Sequence, residues 1–121
     1  MVRRVLALVF VLALVANLAV TVFAHMKAAK MEPVADATVA SVRRVQVWFT
    51  QAPDVKVSKL ELAGPQGPVK LSGFQVTADK SIMANVEGDL SDGRYTARWQ
   101  AAGDDGHIQK GEYRFSVKRA H

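Results

Sequence analysis

The fold class is decided by the stretch GRYTARWQA, residues 93–101, in which apolar and polar side chains alternate. The apolar positions share one side of an extended chain, namely Tyr95, Ala97, Trp99 and Ala101. A period of two is typical of a β-strand with one buried face, because successive side chains point to opposite faces. The stretch therefore predicts a strand whose Tyr95 and Trp99 pack in the core.

The alternation continues on both sides of this strand. Residues 104–106, Asp-Asp-Gly, have the composition of a tight turn, after which Tyr113, Phe115 and Val117 again fall on one face. Before the strand, the pair Asp92-Gly93 predicts a hairpin turn. We expect the last strand to follow the 104–106 turn and to bury its aromatic face.

Shorter apolar runs upstream extend the same pattern. The predicted strands are Val45–Phe49 with its odd-numbered side chains buried, Val55–Leu62 with a bulge, one or two strands in Val69–Val76 after a turn at Gly64–Pro68, and Ser81–Val86. No stretch after residue 24 has a sustained helical period. About seven short strands in one domain predict an all-β Greek-key sandwich or barrel.

Residues 1–24 differ from the rest of the chain. Arg3 and Arg4 precede the apolar run Val5–Val20, and Val22-Phe23-Ala24 has small or short side chains at the usual cleavage positions. We therefore predict a signal peptide over residues 1–24 and an exported domain over 25–121, without stable membrane insertion once the leader is cleaved. The alternative is a retained anchor, because about 20 apolar residues can cross a bilayer.

The composition excludes several classes of function. Cysteine is absent, so a metal site must use nitrogen and oxygen ligands or methionine sulfur. The net charge is only +5, and the basic residues are mixed with acids without interleaved aromatics, which argues against nucleic-acid binding. The glutamates are scattered and form no carboxylate pair for hydrolysis.

The three histidines are His25, His107 and His121. Cleavage after Ala24 would make His25 the first residue, whose α-amine and ring can chelate one ion. The unperturbed pKa values of the α-amine and the imidazole are about 8 and about 6.5, so few protons need to be displaced for a metal ion to bind at neutral pH. A second imidazole and a carboxylate would complete the tetragonal set that copper(II) prefers.

The turn Asp105-Gly106-His107 supplies a second imidazole and a carboxylate, with Asp104 as a rival carboxylate. The alternative is that Asp105 and His107 are ordinary turn residues. His121, beyond the last predicted strand, is expected to be a solvated tail residue.

These residues resemble the CopC family of exported copper-binding proteins. The similar C-terminal pattern is Gly93-x-Tyr95-x-x-x-Trp99, then Asp105-Gly106-His107-x-x-x-Gly111-x-Tyr113-x-Phe115-x-Val117. At the other end, the resemblance covers His25, Pro33 and the segment Asp36-Ala37-Thr38-Val39. The spacing also agrees with cleavage directly before His25, and it favours Asp105 over Asp104 because Asp105 lies two residues before His107.

The resemblance implies a cupredoxin-like or immunoglobulin-like sandwich in the periplasm. It implies one Cu(II) ion bound by the amine and ring of His25, by His107 and by Asp105. The implied role is a non-enzymatic copper carrier or buffer in copper homeostasis or resistance, with an inner-membrane transporter of the CopD type as partner. A methionine-rich copper(I) site is expected to be missing, because Ala63–Ser72 contains neither Met nor His.

The remaining methionines are expected to serve packing. Met31 and Met83 are predicted to lie in the core, although Met26 and Met31 are close enough in sequence to His25 to offer sulfur to copper(I).

Two other functions stay open at this point. A terminal histidine with a second histidine is also the copper site of lytic polysaccharide monooxygenases, so a copper-dependent oxidative enzyme is one alternative. The other is a metal-free β-sandwich used as an interaction module. Oxygen consumption with a reductant and polysaccharide tests the first, and copper titration tests the second.

Overall fold

A computed structural model describes residues 25–120, so the predicted signal peptide and His121 lie outside the described residues. Within this range the chain forms nine strands, and it contains no helix able to span a bilayer. The strands are β1 Ala28–Glu32, β2 Thr38–Val39, β3 Arg44–Phe49, β4 Lys59–Gly64, β5 Gly67–Val69, β6 Leu71–Val76, β7 Ser81–Val86, β8 Gly93–Ala102 and β9 Ile108–Val117. The all-β prediction is confirmed, with two more strands than expected.

The strands form two sheets. One has the order β1-β3-β7-β6 and the other the order β2-β9-β8-β4-β5. All neighbours are antiparallel except β2 and β9, which run parallel. Several neighbours are not consecutive in sequence, so the chain crosses repeatedly between the sheets. This arrangement confirms the predicted Greek-key sandwich.

The core lies between the two sheets and has the predicted alternation. Its most deeply buried side chains come from β3, β7, β8 and β9, and include Val45, Val47, Ile82, Ala97 and Phe115. The Tyr95 ring stacks on Phe115 with 5.7 Å between centroids, and the partly buried Trp99 meets Phe49 edge-on at 5.0 Å. The predicted packing of Tyr95 and Trp99 is therefore confirmed.

The long hairpin β8–β9 carries the predicted turn at its tip. Its register runs without interruption from Gly93 opposite Val117 to Ala102 opposite Ile108. At the tip, the Gly106 N–H donates to the Gly103 carbonyl at 3.1 Å, and Gly106 has a φ of +72°. Glycine suits this position because other residues rarely adopt a positive φ. The turn therefore projects from one end of the sandwich.

The prediction of a strand starting at Val55 is wrong. The backbone turns after Asp54, whose side chain accepts the Lys56 N–H at 2.9 Å and whose carbonyl accepts the Val57 N–H at 3.3 Å. Val55 is 60% exposed, and β4 begins only at Lys59. The Asp54 side chain thus stabilises a turn that competes with the extended pairing, and the predicted bulge does not form.

The predicted hairpin at Asp92-Gly93 is also wrong. Strands β7 and β8 belong to different sheets, so the intervening segment is a crossover. The Asp92 side chain instead accepts the Arg119 N–H at 2.8 Å, which ties the crossover to the end of the chain.

The middle of the chain agrees with its predictions in two places. The turn in Gly64–Pro68 closes a hairpin in which Gly64 pairs with Gly67, although only Pro65 and Gln66 lie outside strands β4 and β5. Val69–Val76 contains two strands, and the second has a register shift around Gly73, whose φ is +61°.

The methionines do not all lie where they were expected. Met31 packs against the core as predicted, and Met26 is itself a core residue, 3% exposed. Met83 is not in the core. It shares the outer face of its sheet with Gln46 and Gln75, and the Gln75 amide donates to its sulfur at 3.5 Å.

Candidate metal centre

Two segments that are far apart in sequence meet at one end of the sandwich. His25 precedes β1, whereas Asp105 and His107 lie in the β8–β9 turn. Asp105 follows His25 by 80 residues in the sequence. One ligand atom from each of the three residues lies within 4.8 Å of the others. The structure thus brings together all three residues that the sequence analysis selected.

The Asp105 carboxylate lies between the two imidazole rings. The His25 ring donates from Nδ1 to Asp105 Oδ2 at 2.7 Å, and His107 Nδ1 lies 3.6 Å from the same oxygen. The ring centroids are 5.6 Å apart. The side chains of His25 and His107 are 60% and 71% exposed, whereas that of Asp105 is 23% exposed. The centre is therefore open to solvent on the histidine side.

The electrostatics of the centre favour an ionised carboxylate. The pKa of Asp105 is lowered from its ordinary value of 3.8, mainly because the His107 backbone N–H donates to Oδ1 at 3.0 Å. The hydrogen bond from the His25 ring lowers the pKa further. At neutral pH the Asp105 carboxylate is therefore negatively charged, and its oxygen lies beside two imidazole nitrogens that could bind the same ion.

The rival carboxylate, Asp104, does not join this cluster. Its side chain is exposed, and its backbone N–H donates to the Gln51 side-chain oxygen at 3.1 Å. The prediction that selected Asp105 over Asp104 as the converging carboxylate agrees with this geometry.

Two further residues contact the segments that carry the three side chains. Thr50 hydrogen-bonds to Lys27, two residues after His25, and Gln51 hydrogen-bonds to Asp104. Neither position was among the candidate site residues selected from the sequence. An uncharged Thr-Gln pair after a strand carries no ligand signature, so no pattern in the sequence indicated this proximity.

Comparisons with known proteins point to one family. The family described as "CopC domain" matches residues 28–118, which include all nine strands together with Asp105 and His107. The chain is similar to "Copper resistance protein C" of Escherichia coli, with 32% identity over 114 residues, covering 87% of this chain and 90% of that protein.

Solved structures agree with the sequence comparison. The fold is similar to that of PcoC, described as a methionine-rich copper resistance protein from Escherichia coli, with a TM-score of 0.71 and 31% identity over 78% of this chain and 100% of that chain. The structure of CopC from Methylosinus trichosporium OB3b has the same fold, with a TM-score of 0.70 and 24% identity over 80% and 97% of the two chains. Because the family match spans the whole sandwich and the relatives are covered nearly end to end, this chain belongs to the CopC family.

Proposed function

We propose that this protein is an exported copper(II)-binding protein that acts as a copper carrier or buffer in copper homeostasis or resistance, without catalysis. One ion would be held by His25, Asp105 and His107. The observation that carries the proposal is the convergence of two imidazoles on one ionised carboxylate, where one imidazole belongs to His25, the residue that leader cleavage would make the first.

The donor set supports copper over other ions. With cleavage after Ala24, the amine and Nδ1 of His25 would form one chelate, to which His107 and Asp105 add a nitrogen and an oxygen. A tetragonal nitrogen and oxygen set is typical of Cu(II), which also binds more tightly than the other divalent first-row ions. The similarity to copper resistance protein C and to PcoC, both of which are named as copper resistance proteins, supports the same metal.

The exposure of the centre supports a carrier. Because both imidazole side chains are more than half exposed, an ion can enter and leave without opening the sandwich. We propose the periplasm as the compartment and an inner-membrane copper transporter of the CopD type as the exchange partner. Residues 1–24 would be the cleaved signal peptide.

The test is a copper(II) titration of protein recovered from the exported compartment, followed by electron paramagnetic resonance and intact mass. We expect a mass that begins at His25 and a tetragonal signal that saturates at one ion per chain. His107→Ala should lower the affinity by more than about tenfold and change the signal, because one nitrogen ligand is lost. His121→Ala removes the remaining histidine and is the matched control.

Two results would contradict the proposal. The mature protein could take up no copper, or His107→Ala could titrate like the wild type. Oxygen consumption by the copper-loaded protein with a reductant and polysaccharide would instead favour an oxidative enzyme.

A further inference from the structure

The segment that follows His25 and the turn that carries Asp105 are both hydrogen-bonded to the same dipeptide, Thr50-Gln51. We infer that Thr50 and Gln51 are positioning residues that hold the two ligand-bearing segments together before the metal arrives. This inference rests on the proposed function, because it concerns the same copper centre.

Thr50 fixes the N-terminal segment through two hydrogen bonds. Its backbone N–H donates to the Lys27 carbonyl at 2.9 Å, and its Oγ1 accepts the Lys27 N–H at 3.0 Å. The intervening residue Met26 is 3% exposed and lies in the core. The first residues of a domain are usually poorly ordered unless they are tied down. Here the backbone next to His25 is anchored by both the hydrogen bonds and the buried Met26 side chain.

Gln51 fixes the turn. Its Oε1 accepts the Asp104 N–H at 3.1 Å, one residue before Asp105. The same oxygen lies so close to Gly103 that a Cβ atom built there would be 2.4 Å away. The absence of a side chain at Gly103 therefore allows the Gln51 amide to lie directly against the turn.

The position of Thr50 and Gln51 is fixed by the sheet, because the two residues directly follow β3. Phe49, the last residue of β3, is 4% exposed, and its N–H donates to the Lys80 carbonyl at 2.8 Å. A shift of Thr50 or Gln51 would therefore disturb core packing. Thr50 and Gln51 thus connect the packed sheet to the segment that follows His25 and to the turn that carries Asp105 and His107.

This arrangement has a consequence for copper affinity. If either contact is lost, copper must itself order the freed segment, and the entropy of ordering is subtracted from the binding free energy. Residues that orient metal ligands typically affect affinity about 10- to 100-fold when they are replaced. We expect each contact of the dipeptide to contribute at the lower end of this range.

The experiment uses the mature protein with two near-isosteric variants. Thr50→Val removes the Oγ1 acceptor, and Gln51→Met removes the amide oxygen. Matched controls make the same changes elsewhere: Thr96→Val on the outer face of β8, and Gln75→Met on β6 at the edge of the other sheet. Thr50→Ser keeps the acceptor and is the rescue variant.

The expected results separate positioning from ligation and from general stability. Each variant should raise the copper dissociation constant about tenfold relative to its control, mainly through faster dissociation, with the ligand set in the paramagnetic resonance signal unchanged. In the metal-free protein, Gln51→Met should accelerate hydrogen exchange at the Asp104 amide. Thr50→Ser should bind like the wild type.

Three outcomes would overturn the inference. If both variants keep wild-type affinity while His107→Ala weakens binding, the positioning role fails and the proposed function stands. If Gln51→Met removes a ligand from the copper signal, Gln51 is a ligand and does not act through the turn. If the wild type binds no copper, the proposed function itself fails, and the inference fails with it.

Discussion

Asp105 is the residue on which both histidines converge, and its carboxyl group gives the first prediction. Its pKa is lowered chiefly by the His107 backbone N–H and secondarily by the His25 ring. We therefore expect His25→Ala to raise this pKa only part of the way to the ordinary value of 3.8. Carbon-13 NMR titration of the side-chain carboxyl in the metal-free protein measures it.

The sign of the accompanying stability change follows from linkage. Because the folded pKa is lower than the unfolded one, ionised Asp105 stabilises the fold above the unfolded pKa, and this contribution is lost as the pH falls through the folded value. A complete return of the pKa to 3.8 in His25→Ala would show instead that the ring, and not the backbone of the turn, sets it.

The three residues of the proposed copper centre could be selected from sequence because their chemistry is local. A histidine at an expected cleavage site and an Asp-Gly-His turn are recognisable wherever the chain folds, and the CopC resemblance favoured Asp105 over Asp104. Thr50 and Gln51 could not be found in this way. They act through hydrogen bonds to backbone groups that are distant in sequence, and any polar residue can make such contacts.

At the scale of the elements, Gly111 on β9 lies opposite Trp99 on β8. A Cβ atom at Gly111 would be 2.4 Å from the indole ring, which is held against Phe49. We predict that Gly111→Ala lowers the free energy of unfolding by about 1–3 kcal/mol, because the rigid ring must shift. Urea denaturation measures this loss.

A double-mutant cycle isolates the contact. In a Trp99→Leu background the added methyl group meets no indole ring, so Gly111→Ala should cost markedly less there than in the wild type. An equal cost in both backgrounds would assign the effect to the β9 backbone. The contact also gives a physical reason for the Trp99 and Gly111 positions in the family pattern.

The β6–β7 connection contains a carboxylate network that predicts a pH dependence. Asp79 accepts hydrogen bonds from Thr77, Ser81 and the Trp48 indole, and its pKa is lowered to about 2. Ionised Asp79 therefore stabilises the fold above its ordinary pKa of 3.8, and the contribution disappears as the pH falls through about 2.

The measurement compares urea midpoints of wild type and Asp79→Asn from pH 6 to pH 2. The wild type should be the more stable near neutral pH, and the difference should shrink below about pH 4. Asp89→Asn, at an exposed carboxylate on another connection, is the control. A difference that does not change with pH would argue against this network.

The strands differed in how well they could be predicted. Apolar and polar side chains alternate over residues 94–101 of β8 and 113–117 of β9, so the buried faces of these two segments were predicted correctly. Strand β1 has the sequence AAKME, with no alternation, and forms because β3 offers it a partner. Asp92-Gly93 has hairpin composition but joins strands of different sheets, because sheet membership depends on the packing of the whole chain.

At the scale of the whole molecule, the proposed copper site depends on the position of the N-terminus. We predict that one alanine added before His25 in the mature protein weakens copper binding by more than about tenfold, because the amine next to the imidazole becomes an amide. Copper titration and paramagnetic resonance measure the effect. The same alanine added after His121 is the control, and an unchanged signal for the N-terminal variant would remove the amine from the ligand set.

The 80-residue separation between His25 and Asp105 has a further consequence. An ion bound by both would close most of the domain into a loop, as a disulfide does in many exported proteins that contain cysteine, yet this chain has no cysteine. Such a cross-link is reversible, since it exists only while the cargo is bound. Because ligands that bind only the native state stabilise it, the loaded and empty forms would differ in their resistance to proteases. Copper supply would then set the lifetime of its own carrier.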